Sequence, residues 1–165
     1  MSYQEKKTIT SIVSALILMG AYTIDALGRY RAGAAPLDNL GLWAWMMLKY
    51  IGIGIVVTIV LQILFHILLS VGIALREKIR DEKSDDKAIE RTIKGEMVED
   101  ERDKLIELKS LRVGFGLAGA GFIAALFSLV LGYPPAAMLN ILFFSFFAGS
   151  ILEGFSQLFF YRRGF

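Results

Sequence analysis

No cysteine occurs in the 165 residues, which removes disulfides, thiolate metal sites and cysteine nucleophiles while leaving the redox compartment open. One histidine, His66, is too few for most histidine-based metal centres. A nucleotide-binding loop, a zincin helix and a nucleophile elbow are all missing, so no cofactor and no metal are expected and an enzymatic role is disfavoured. Nor is there an excess of one charge: 18 basic residues stand against 16 acidic ones, for a net +2. The basic residues lie among acidic ones and form no patch that would neutralise phosphates. Nucleic acid is therefore not an expected partner.

What the chain has is apolar length. With 55% hydrophobic residues and a mean hydropathy of +0.55, it reads as one membrane domain over residues 1–165. The exception is residues 76–112, which hold 11 of the 18 basic and 12 of the 16 acidic residues. That segment belongs in water, whereas the sequence on either side of it belongs in a bilayer. The expected architecture is all-α: a polytopic protein with four transmembrane helices arranged as two hairpins, and a charged cytoplasmic helical extension between the second and third spans.

Lys6 and Lys7 precede the first span, residues 8–27, about the ~20 residues that cross a ~30 Å hydrocarbon core. Its length, and the lack of a small-x-small site after it, favour an uncleaved helix over a signal peptide. Residues 28–39 carry the glycine, proline and Asp-Asn composition of a turn-rich loop. Residues 40–75 would reach ~54 Å as one helix, so Lys49 is the natural division. Residues 40–48, with Trp43 and Trp45, suit the outer interface or an extension beyond it, and residues 51–75 would cross. Within 76–112, Gly95 separates two helical stretches. Glu90 with Lys94, and Asp100 with Lys104, stand at i,i+4 in the favourable order, and DKAIE at 86–90 resembles DKLIE at 103–107. The third and fourth spans are residues 113–132 and 136–161, joined by Tyr133-Pro134-Pro135.

Charge sets the orientation. With the amino terminus inside, fifteen basic residues fall on the inner side and only Arg29, Arg31 and Lys49 outside. Both termini and the charged segment are thus expected in the cytoplasm, with the protein in the cytoplasmic (inner) membrane. Asp25, near the outer end of the first span, can be neutralised by Arg29, Arg31 or Lys49.

Three groups of residues are candidates for function or assembly. Gly114, Ala118, Gly121, Ala125 and Ser128 recur at steps of four and three, a face on which helices approach closely within a chain or in a homodimer. Thr58, Gln62, His66 and Ser70 form a polar row on the second span, and Ser145, Gly149, Glu153 and Gln157 form another on the fourth. Intramembrane polar groups face a bundle interior, a cavity or a partner. Counting back from Arg76 and Arg162 places His66 and Glu153 at nearly equal depth, so the two are a candidate pair. Asp100, Glu101, Arg102, Asp103, Leu105 and Leu108 are candidates for docking a cytoplasmic partner, because an apolar edge there sits among charges.

EDERDKLIELKSLR at 99–112, the glycine-rich span after it and the terminal YRRGF resemble a family of small prokaryotic membrane proteins of unknown function, in which a "DERD…I…K" element precedes a membrane span. The likeness covers mainly residues 99–165. It implies a four-span membrane protein and supplies no catalytic residue.

Taken together, the sequence points to a non-enzymatic interaction, accessory or regulatory membrane protein, the immunity type included. Its expected partners are the lipid bilayer, a second copy of the chain and a cytoplasmic or membrane protein. The alternative is a small ion- or proton-coupled transporter or channel subunit that uses the polar rows around His66 and Glu153.

Overall fold

The computed structural model describes residues 3–80 and 100–163. Among these residues there is no strand, and four helices are long and apolar enough to cross a membrane. They are α1 (Tyr3–Arg31), α2 (Leu40–Arg80), α3 (Glu101–Val130) and α4 (Pro135–Arg163). The Gly95 division, the DKAIE stretch at 86–90 and the Glu90–Lys94 pair lie outside the described residues.

α2 is one 41-residue helix, some ~62 Å long, and it passes through Lys49 without a break. The expected division there is not needed. Lys49 is already satisfied by the Asp25 carboxylate 3.2 Å away, and no proline interrupts the helical hydrogen bonds. Residues 40–48 therefore extend the helix. Asn39 caps it by accepting the Leu42 N–H at 3.1 Å.

α3 begins before its apolar part. The Asp100 carboxylate accepts the Asp103 N–H at 2.7 Å, and Asp103 reaches back to the Asp100 N–H at 3.3 Å, a reciprocal cap. Asp100 is thereby used at the helix start and not in the i,i+4 pair with Lys104. The two turns joining α1 to α2 and α3 to α4 open in the same way. Gly33 and Gly132 take positive φ, 70° and 79°. The N–H groups of Ala34 and Tyr133 then bond back to Arg29 and Ser128, at 2.9 and 3.0 Å, closing each helix with a Schellman turn. Pro135 follows at the first position of α4, where no amide hydrogen is needed.

α3 and α4 run antiparallel in the most extensive contact among the described helices, and α4 also supports α1. Gly114, Ala118, Ala125 and Ser128 are buried on this side of α3. A Cβ added to Gly114 would lie 2.7 Å from the Gly149 carbonyl oxygen, and one on Gly149 would lie 2.6 Å from that of Gly114. A Cβ on Gly121 would collide with the Ser145 side chain. The small-residue face is thus occupied within the chain. Gly154, on another face of α4, admits Ile12 of α1, which would stand 2.5 Å from a Cβ there.

The core gathers at the loop end of the bundle. Tyr22, fully buried, donates a 2.7 Å hydrogen bond to Asn140 Oδ1. Its ring meets Phe143 at 4.2 Å, Tyr50 at 5.5 Å and Phe144 at 5.7 Å, aromatic pairs worth about 0.5–1.5 kcal/mol each. Trp43, Met46 and Met47 complete the cluster, and Trp43 Nε1 donates to the Pro36 carbonyl at 3.0 Å. Trp45 remains exposed.

Two substitutions on α3 test this packing. Gly121→Leu must displace Ser145 and is expected to lose about 1–3 kcal/mol or more through overpacking. Ile123→Leu, at an exposed position, should leave the thermal unfolding midpoint in detergent unchanged. Equal midpoints for the two variants would contradict the packing described.

Candidate functional site

The charged end of the bundle is built differently from the aromatic end. Here the side chains between the helices are polar, and they surround a cavity of about 230 Å³. α1 supplies Gln4, Lys7, Thr8 and Ser11, and α2 supplies Gln62. Asp103 and Glu107 come from α3, and Glu153, Gln157 and Tyr161 from α4. Gly114 makes room for Glu153, whose Cβ would stand 2.9 Å from a Cβ at that glycine. Across the cavity the Thr8 hydroxyl lies 2.8 Å from Gln157 Oε1 and ties α1 to α4.

A second cavity, of about 140 Å³, lies between α1 and α2 and is lined by Lys7, Thr10, Ser11, Ser14, Thr58, Gln62 and His66, with Leu61 and Phe65. Lys7, Ser11 and Gln62 line both cavities, so the two adjoin and are together termed the polar crevice. Toward the loop end it gives way to apolar walls. Ser11, Ser14 and Thr58 mark the transition to a groove of about 420 Å³ walled by Leu18, Ile51, Ile55, Ile59, Phe146 and Phe147.

The two predicted polar rows meet different fates. Thr58, Gln62 and His66 turn toward α1, while Ser70 donates to the His66 carbonyl of its own helix at 2.8 Å. On α4, Ser145 and Gly149 face α3, and Ser145 donates to the Leu142 carbonyl at 2.8 Å. Only Glu153 and Gln157 open into the crevice. His66 and Glu153 line its two different parts, and Gln62 is the α2 residue shared by both. The physical reason is that α1 contacts both α2 and α4, whereas α2 touches α4 only lightly.

The docking residues also divide. Asp100, Glu101 and Arg102 are exposed, Leu105 and Leu108 are each 57% exposed, and Asp103 turns into the crevice. Ile106, next to Leu105, is 1% exposed and faces the bundle. At the opposite end Asp25 receives Arg29 Nε at 2.8 Å and Lys49 Nζ at 3.2 Å. Among the described residues no three His, Asp or Glu side chains are placed to hold one metal ion.

Sequence reasoning missed the contribution of α1. Thr8, Ser11 and the Thr10–Ser14 pair repeat at steps of three and four, the same signal that singled out α2 and α4. Comparison of the chain with protein-family models, curated proteins and solved structures finds no match. The site is therefore read from its own geometry.

If the crevice holds water, a thiol placed in it will ionise and react, since the thiolate is the nucleophile. The native chain has no cysteine to interfere. Ser11→Cys and Gln62→Cys should react with a small charged thiol reagent at least about tenfold faster than Ile63→Cys on the apolar face of α2. Equal rates at the three positions would mean that water does not fill the crevice.

Proposed function

We propose that this chain is an integral protein of the cytoplasmic membrane, folded as two antiparallel hairpins with both termini inside, and that it acts as a non-enzymatic interaction subunit. One observation carries this reading: among the described residues, none in the apolar window of α2 is buried, whereas each of the other three spans buries part of its own. α1, α3 and α4 make a packed unit, and α2 stands at its edge. In lipid a helix gains little from apolar burial and associates through close packing and polar contacts. A long, peripheral span whose outer face presents the exposed Leu64 and Leu68 is suited to meeting a partner in the membrane plane. The exposed Leu105 and Leu108 provide a second contact edge on the cytoplasmic side. Because the glycine face of α3 is already occupied by α4, association with a second copy of the chain would use α2.

The polar crevice favours a second reading, a transporter or channel subunit. Its inner end is polar, but Tyr22, Tyr50, Phe143 and Phe147 close the way outward. Ion passage would then require a path completed by another subunit, which returns to the first reading.

Orientation is tested by single cysteines. Ala34→Cys should label with an impermeant reagent in intact cells, and Ser84→Cys only after permeabilisation; the reverse pattern would invert the topology. Association is tested by photo-crosslinking residues on Leu64 and Leu68 of α2, compared with Ile123 of α3. Discrete protein adducts are expected from α2 alone. Lipid adducts alone at all three positions would remove α2 as an interface.

A further inference from the structure

Two apolar grooves leave the polar cavity between α1 and α2, one on each side of the line where these helices meet. The first is the groove of about 420 Å³ on the side of α4. The second, of about 380 Å³, runs past Ile9, Val13, Ile17, Val57 and Leu61 on the other side. Both start from residues of the polar cavity: Ser14 lines all three spaces, Thr58 joins the first groove and Thr10 the second. Each groove reaches Leu18, seven residues along α1 from Ser11, or about 10 Å. Each volume falls in the ~300–1,000 Å³ range of ordinary ligand sites. One polar end and two apolar arms match the shape of a two-chain amphiphile.

The polar end also specifies charge. Lys7 lines the polar cavity together with the hydroxyls of Ser11 and Thr58, while Thr10 donates its own hydroxyl to the Lys6 carbonyl at 3.0 Å. This set of donors suits a phosphate. Next to it, Glu107 and Glu153 line the adjoining cavity, and such acceptors suit a cation that can donate hydrogen bonds. On the membrane orientation proposed for the chain, Lys7 stands at the level of the inner headgroups, so the grooves point into the hydrocarbon.

We infer that the α1–α2 crevice is a binding site for one phospholipid of the inner leaflet whose headgroup carries a primary amine. The phosphate sits at Lys7 and the hydroxyls, the ammonium at Glu153 and Glu107, and the two acyl chains straddle the α1–α2 contact. This rests on the membrane placement, which the Ala34 and Ser84 cysteines test separately.

The experiment is native mass spectrometry of the full chain released from micelles. The micelles contain equal amounts of phosphatidylethanolamine, phosphatidylcholine and phosphatidylglycerol. One phosphatidylethanolamine per chain should be retained, at least about tenfold in preference to phosphatidylcholine, whose quaternary amine donates no hydrogen bond. Glu153→Gln should reduce that preference toward unity while retaining lipid, and Lys7→Gln should weaken retention of all three. Thr58→Phe, at an exposed position on the lip of the groove, should block retention. Its lipid-free unfolding midpoint, unchanged from that of the parent, would separate blockage from misfolding. Equal retention of the three lipids, preference for phosphatidylglycerol, or retention unaffected by Thr58→Phe would each overturn the assignment. Photo-crosslinking at Leu64 and Leu68 is independent of this result, so losing the lipid site and losing the protein interface are distinguishable outcomes.

Discussion

The contact of the α3 and α4 backbones at Gly114 and Gly149 governs the rest of the molecule. With no Cβ on either residue, each glycine approaches the other's carbonyl oxygen more closely than any larger residue would allow. In a bilayer such proximity matters more than apolar area, because lipid chains compete equally well for apolar side chains. The close pair has a second effect. It brings Glu153 alongside Gly114, so the spacing that holds the helices together also places a carboxylate at the head of the polar crevice.

α1 is organised by α4 in turn. Ile12 enters at Gly154, Thr8 reaches Gln157 and Tyr22 bonds Asn140, so the helix is fixed along most of its length. α2 is held chiefly at one end, through Tyr50, Lys49 and the loop that Trp43 closes. Beyond Thr58 it faces α1 across the crevice, and its outer surface has no cover among the described residues. A lipid site and an interaction surface are compatible there. The crevice uses the side of α2 facing α1, and the exposed Leu64 and Leu68 lie outside the residues that line it.

Polarity is sorted along the bundle axis. The loop end is an aromatic plug joined by single hydrogen bonds, with one ion-paired carboxylate at its rim. The other end keeps hydroxyls, amides and carboxylates between the helices. Buried polar groups are retained where water or a ligand can satisfy them. This asymmetry is why the crevice opens at the charged end and is closed at the aromatic one.

By itself the sequence determined the all-helical class and the number of apolar helices, because a run of apolar residues of membrane length is a solvation property that needs no knowledge of neighbours. It also marked Gly114, Ala118, Gly121, Ala125 and Ser128 as one face, since helical periodicity alone places them together. It marked His66 and Glu153 as polar groups at similar depth for the same reason. It did not determine which helix each face meets. Lys49 of α2 has as its partner Asp25, a residue on another helix. That His66 lines the cavity between α1 and α2 while Glu153 lines the one shared with α3 and α4 follows from how the helices are arranged around α1. The crevice draws Lys7, Gln62, Glu107 and Glu153 from four elements far apart in the chain. Rise and period fix depth and face within one helix, but azimuth between helices is set by packing, and packing is decided only when all four are assembled.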